Sequence, residues 1–287
     1  MRVLVVFKKS FLESHAADPK AVAGLETADR ARFVEADLEN RRALSEVCGH
    51  LARLGVPYDA VFRGGLARRR KYDLVVSLGG DGTFFAAARW VGGTPVLGIN
   101  SDPENSLGLW TCADRWSFQK PLEQALAGRL RPVLLHRMSV AVNGRPLRVP
   151  AFNDVLFAHK NPAAMTRYRL TVRGRSEDQK SSGLWCSTAA GSTAGIRSAG
   201  GERMPVDSRR LQFLVREPYA WPVRRYRLAR GFAAKLSLTT FMMESAIWID
   251  GSRVRHDLRL GDRVDLSSGP PLRVLGYDDR RRRRLFP

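Results

Sequence analysis

The stretch Leu74-Val75-Val76-Ser77-Leu78-Gly79-Gly80-Asp81-Gly82-Thr83-Phe84-Phe85 carries most of the information in this chain. An apolar strand over residues 73–78 runs straight into glycines, and a helix is expected to begin at Thr83. Without Cβ atoms, Gly79, Gly80 and Gly82 let backbone N–H groups approach phosphate oxygens at a helix start. The turn lacks the Gly-Lys-Ser/Thr ending of a P-loop and the spacing of a dinucleotide fingerprint. It carries an acid instead. A carboxylate among phosphate-binding amides is electrostatically awkward unless it takes a proton from an attacking hydroxyl or holds Mg²⁺. The plain alternative is a turn closed by an Asx-type hydrogen bond.

Working outward, strands and helices alternate on both sides of the turn. Residues 2–7 form an opening strand, too short for a secretory signal and followed at once by Lys8-Lys9. Over 37–54, Leu44, Val47, Cys48, Leu51 and Leu54 share one helical stripe, and Gly55 supplies the stop. Further strands are expected at 58–62 and 95–99, and a helix at about 117–127. This order implies a parallel sheet with crossover helices. From about residue 130 the punctuation changes to hairpins: Asn143-Gly144 follows an alternating strand, and Asp250-Gly251 follows Ile247-Trp248-Ile249. Strands at 152–157, 168–172, 184–186, 212–215 and 235–239 make this half mostly antiparallel. The expected domains are 1–128, 129–268 and a C-terminal segment, 269–287, whose Leu272, Val274, Leu275 and Tyr277 would allow it to pack back on the first domain.

The formal charge of +20 and sequence pI near 11.0 favour a partner that carries phosphate without naming it. The runs Arg68-Arg69-Arg70-Lys71 and Arg280 to Arg284 read as solvated surface or a frayed tail rather than a nucleic-acid contact. No stretch reaches the roughly 18 apolar residues of a membrane span, so a soluble protein with no membrane partner is expected. Three scattered cysteines, Cys48, Cys112 and Cys186, argue against structural zinc and disulfides, and so for the cytoplasm.

Two more segments carry chemistry. Gly191-Ser192-Thr193-Ala194 follows the apolar strand and suits either a helix cap or a ligand-binding helix start. Asn153-Asp154 interrupts the apolar frame Phe152, Val155, Leu156, Phe157. Such a pair is ordinarily a strand end in solvent, but its amide and acid would also bind ribose hydroxyls.

The order Gly79-Gly80-Asp81-Gly82-Thr83, Gly98-Ile99-Asn100, Asn153-Asp154, Gly191-Ser192-Thr193-Ala194, Asp250-Gly251 resembles the NAD kinase family. Asn100 to Gly108, Asn161 to Tyr168, and Met204-Pro205 with Val215-Arg216-Glu217-Pro218 look like its plant NADH kinase and animal mitochondrial branch. The resemblance implies a two-domain fold, α/β with a parallel sheet and then β-rich and nucleotide-binding, and a homodimer. It implies ATP-dependent phosphorylation, with Mg²⁺ or another divalent cation, of the adenosine ribose 2′-hydroxyl of NADH or NAD. Asp81 would accept the hydroxyl proton, and Gly79, Gly80, Gly82 and Thr83 would form the phosphate turn. Asn100, Asn153, Asp154, Gly191, Ser192, Thr193 and Ala194 would bind the nucleotide, Asp154 standing for a family Glu. Ser182 replaces a common Asp, Gly195 a Tyr, and Trp221 takes the region of a common His. These departures fall at the nicotinamide end. Rival readings are a lipid kinase of the diacylglycerol or sphingoid type, using the same glycine turn, and a polyanion-binding protein.

Overall fold

The computed structural model describes residues 1–14, 26–66, 71–219 and 225–286, and divides them into two compact units. Unit 1 takes Met1–Val133 and Leu272–Leu285; unit 2 takes Leu134–Pro271. Arg68 to Arg70 and Trp221 lie outside the described residues. Among the described residues no helix is long and apolar enough to cross a membrane.

Unit 1 is built on parallel strands β1 (Val3–Phe7), β2 (Tyr58–Phe62), β3 (Leu74–Leu78) and β4 (Val96–Asn100) in the order β2-β1-β3-β4. A short strand β5 (Ala113–Asp114) also pairs with β4. After a one-turn helix α1 (Phe11–Ser14), helix α2 (Thr27–Arg53) packs Ala43, Val47 and Leu51 on the sheet beside Leu122 of α4 (Gln119–Leu126). Helix α3 (Asp81–Trp90) also packs against strands β1, β3 and β4, burying Thr83, Phe84, Ala87 and Ala88. Val3, Leu4, Val5 and Val6 are all buried, as strands covered on both faces require.

Helix α2 is longer than its apolar stripe, because its first turns carry charged residues with no apolar periodicity to announce them. Leu54 caps that helix and is exposed, outside the stripe assigned to it. Helix α3 begins at Asp81, two positions before Thr83, with Gly80 as its extended N-cap.

The arginine run near the C-terminus is not a frayed end. It forms a helix, Asp279–Leu285, in which the Arg282 side chain is fully buried and Arg281 donates to backbone carbonyls of the 107–111 loop. Local composition cannot tell such arginines from the many exposed ones in this chain.

Unit 2 is antiparallel. Strands β6 (Val133–Val142) and β7 (Arg145–Pro146) form a hairpin whose Asn143 and Gly144 have φ of 51° and 74°, as the Asn-Gly signal requires. They are followed by β8 (Asp154–His159), β9 (Thr166–Val172), β10 (Arg175–Ser181), β11 (Gly183–Ser187), β12 (Leu211–Arg216), β13 (Arg230–Ala233), β14 (Lys235–Thr240), β15 (Ser245–Ile249), β16 (Val254–Leu258) and β17 (Arg263–Leu275). A six-stranded sheet runs β13-β12-β11-β8-β15-β16; β10, β9, β14 and β17 form the other ladder. Val155, Phe157 and Ile247 from the first share a core with Tyr168, Leu170, Leu238 and Val264 from the second. Asp250-Gly251 opens a four-residue loop, 250–253, since Ile249 pairs with Val254. It is a four-residue loop rather than a two-residue turn, with Asp250 and Gly251 at φ 50° and 94°.

Candidate active site

The residues expected in the site fall into two groups, each assembled within its own unit. In unit 1 the glycine turn lies at the carboxyl ends of the parallel strands. The order β2-β1-β3-β4 places the topological switch between β1 and β3, where open α/β sheets take their ligands. Gly79, at φ 150°, donates its N–H to Ile99 O at 2.9 Å, and an added Cβ would stand 2.5 Å from Thr83 Oγ1. A Cβ on Gly80 would fall 2.1 Å from Ser106 Oγ. Both positions therefore admit only glycine without rearrangement.

Asp81 is the first residue of α3, where the helix dipole favours a carboxylate. Its Oδ1 accepts from Trp110 N at 3.0 Å, and the Leu109 amide also bonds the carboxylate. Burial pushes its pKa above the ordinary carboxylate value, while those amides and the Arg281 charge oppose the rise. This suits a base that must hold a proton briefly.

Two cations missing from the expected set stand at the same edge of the sheet. Arg63 directly follows β2 and donates from Nη1 to Thr83 Oγ1 at 3.4 Å, beside Gly82. Lys8 directly follows β1; its Nζ is 3.9 Å from Asp102 Oδ2, and burial lowers its pKa, partly offset by Asp102, with Arg63 adding to the fall. Only the strand order brings these two residues to the turn.

Asn100 also roots the loop after β4. Its Nδ2 donates to Ser106 O at 2.9 Å and its Oδ1 accepts from Asp102 N at 3.1 Å, so both ends of the amide organise the loop after β4.

In unit 2 the second group is built around Asp250, which the sequence marks as a turn and as the last of the five ordered motifs without indicating its role. Its Oδ2 accepts from Phe152 N at 3.0 Å, and its Oδ1 from Asn153 N at 2.6 Å and Asp154 N at 3.2 Å. Asn153 O accepts from Thr188 N at 2.8 Å and lies 2.1 Å from where a Cβ on Gly191 would be. Gly191 N in turn donates to Thr188 Oγ1 at 3.1 Å. Asn153-Asp154 is therefore no solvent-facing strand end: both residues are buried, and Asn153 Oδ1 makes no hydrogen bond among the described residues. Ser192 points inward, its Oγ donating to Ala189 O at 2.8 Å and accepting from Met204 N at 2.9 Å. Thr193 and Ala194 remain half-buried.

Asp154 borders a cavity of about 530 Å³ lined also by Ser182, Trp185, Arg216 and Trp248. Burial first, and the Asp250 charge second, push its carboxyl up to about 7. The Trp185 ring lies 3.3 Å from where a Cβ on Gly195 would sit, so the indole fills the space a side chain there would need. Among the described residues no group of three or more His, Cys, Asp or Glu side chains could hold a metal ion.

No protein-family model matches the chain. It is similar to the probable NADH kinase of Oryza sativa subsp. japonica, at 35% identity over 225 residues covering 70% of this chain and 69% of that protein. The NADH kinase of Arabidopsis thaliana is 33% identical over 237 residues, 71% of this chain and 72% of that protein. The NAD kinase of Aquifex aeolicus is 30% identical over 203 residues, with 68% and 72% covered. In fold, the chain resembles an NAD kinase from Archaeoglobus fulgidus in complex with ATP, with TM-score 0.68, 21% identity, and 99% of this chain and 96% of that one covered. Yeast NADH kinase complexed with NADH gives TM-score 0.69 at 16% identity over 99% of this chain and 86% of that one. The glycine turn with its acid, the buried Asn153-Asp154 and the extent of identity to these relatives lead to one conclusion: the chain belongs to the NAD kinase family.

Proposed function

We propose that this protein transfers the terminal phosphoryl group of ATP to the adenosine ribose 2′-hydroxyl of NADH and of NAD. The observation that carries this reading is the Asp81 carboxylate at the start of α3, within a glycine turn at the switch point of a parallel sheet. Phosphoryl transfer needs positioning and charge neutralisation more than covalent chemistry. Backbone amides of the turn, Arg63 and Lys8 supply those on the phosphates, which bring Mg²⁺ with them as part of the substrate. Asp81 takes the hydroxyl proton as the oxygen attacks phosphorus; the bond to the departing ADP oxygen breaks, and the proton remains on the carboxyl.

The group within unit 2 has the chemistry of a nucleotide-ribose site. Asn153, held by its backbone on Asp250 and Thr188, keeps a side-chain oxygen for a ribose hydroxyl, and Asp154 accepts a second such bond when ionised. The half-buried Thr193 and Ala194 line the adenine side, while Ser192 and Gly191 hold that segment in shape. At the Asp154 cavity Ser182 is neutral and Arg216 cationic, so neither adds a second anion for a positively charged nicotinamide, which supports NADH as an acceptor at least as good as NAD. We further propose a homodimer, from the family resemblance, and a cytoplasmic location. The latter fits three free thiols, of which Cys112 and Cys186 are held protonated by burial.

Purified protein given ATP, Mg²⁺ and, in separate reactions, NADH, NAD or a diacylglycerol or sphingoid acceptor tests the reading. NADPH and NADP should form and phospholipid should not; lipid product without NADP(H) would overturn it.

A further inference from the structure

The acid of the glycine turn is held by a loop, and that loop is held from the other end of the chain. Asp81 takes its orientation from the amides of Leu109 and Trp110. Those amides belong to the segment after β4, which is neither helix nor strand between residues 101 and 112. Local contacts shape it: the Asn100 amide at its root, Asn105 Nδ2 donating to Asp102 Oδ1 at 3.0 Å, and Thr111 N and Oγ1 donating to Gly108 O at 3.2 and 2.7 Å, with Gly108 at φ 56°. None of these reaches Leu107 O or Thr111 O.

Arg281 does. Its Nη2 donates to Leu107 O at 2.7 Å, and its Nη1 to Gly108 O at 3.0 Å and Thr111 O at 3.2 Å. A guanidinium is the side chain for this task, because its donors form a rigid planar fork that stays charged. Tyr277, just before the same helix, stacks on Trp110 at 5.1 Å, and Trp110 stacks on Phe84 of α3 at 6.1 Å. The loop is thus clamped between the C-terminal helix and the helix that begins with Asp81.

We propose that Arg281 is a positioning residue for phosphoryl transfer: by tying the carbonyls of Leu107, Gly108 and Thr111, it fixes the amides that aim the Asp81 carboxylate. The inference rests on the reading of Asp81 as the proton acceptor. The other arginines of the helix have different surroundings. Arg283 pairs with Asp279 at 2.6 Å on the surface, Arg280 and Arg284 are exposed, and Arg282 is buried. The charged groups that bear on Asp81 are Arg281 from the C-terminal helix and, beyond Thr83, Arg63 after β2; the loop itself faces it with backbone amides. Removing Arg281 therefore both loosens the carboxylate and withdraws a cation that favours its ionised form.

The test compares Arg281→Ala, Arg281→Lys, the surface control Arg284→Ala and Asp81→Asn, each checked for folding, by kcat and KM for ATP and NADH across pH. Arg281→Ala should lower kcat by about 10- to 100-fold, the cost of a small misplacement of a reacting group, with both KM values little changed. Its acid limb should move to higher pH. Arg281→Lys should return the limb towards wild type while kcat stays low, since charge is restored and the fork is not. Arg284→Ala should match wild type. Unchanged kcat and acid limb in folded Arg281→Ala would overturn the proposal; if that variant does not fold, the same result in Arg281→Lys would do so. An active Asp81→Asn would instead remove the reading beneath it.

Discussion

Asp154→Asn removes one charge and almost no volume, and its effect on stability should depend strongly on pH. The wild-type carboxyl is 6% exposed, and its pKa is pushed to about 7 by burial and by Asp250. The Asp250 carboxylate accepts the amides of Phe152, Asn153 and Asp154, and its proximity is the second cause of the rise at the Asp154 carboxyl. In the unfolded chain the same carboxyl titrates near ~3.9. The folded state therefore binds this proton more tightly. Stability from Asp154 is fully present below the unfolded value and is lost as pH rises through about 7. A rise of this size, at ~1.4 kcal/mol for each pKa unit, sets an upper limit of about 4 kcal/mol lost well above neutrality. Asparagine has no such term. Urea unfolding of both proteins should give similar stabilities near ~pH 3.5, and the variant should become the more stable as pH rises, by most near ~pH 8.5. The variant should also bind NADH more weakly, since it loses an acceptor for a ribose hydroxyl. Parallel stability profiles for the two proteins, or a wild type that gains on the variant with rising pH, would refute the burial argument.

Four further outcomes follow from the geometry. Deleting residues 280–287 should lower stability by about 3 kcal/mol or more in thermal or urea unfolding, because the charged hydrogen bonds of Arg281 are lost together with the buried Arg282; an unchanged midpoint would return the arginines to solvent. Gly80→Ala should destabilise by about 1–3 kcal/mol through its collision with Ser106 Oγ, and Ser106→Gly should recover much of that. Gly191→Ala meets backbone at Asn153 O and should show no comparable single-residue rescue. Ser182→Asp should shift the ratio of kcat/KM from NADH towards NAD, since a carboxylate favours the cationic ring by about 1–4 kcal/mol at contact distance; an unchanged ratio in an active variant would count against the cavity as the nicotinamide site.

The parts of the fold legible in the sequence are those fixed by local signals. Residues 74–78 read as a buried parallel strand because every position is apolar or small, and Asn143-Gly144 reads as a hairpin because few other pairs accept φ > 0 twice. The candidate centre is legible for a related reason, since an acid inside a glycine turn has few uses. The missed residues act over long sequence separations. Asp250 binds amides 96 to 98 positions away, and although its Asp-Gly pair belongs to the ordered motifs, nothing near it shows what the carboxylate holds. Arg281 reaches carbonyls 170 to 174 positions away, from within a run of identical neighbours. Lys8 and Arg63 meet the turn through strand order alone. Asn100, named for the nucleotide, also has a local use that only the fold reveals, because its loop takes one hydrogen bond from each end of the amide.

The central claim is that this chain phosphorylates the nucleotide's ribose with Asp81 as proton acceptor. Wild type and Asp81→Asn should be compared with ATP, Mg²⁺ and NADH, and the product read with a dehydrogenase that accepts only the 2′-phosphorylated coenzyme. The account predicts NADPH from wild type, and a folded variant slower by roughly 10²–10⁴-fold, the usual cost of losing a general base. Near-full turnover by folded Asp81→Asn, or no NADPH from wild type, would contradict it.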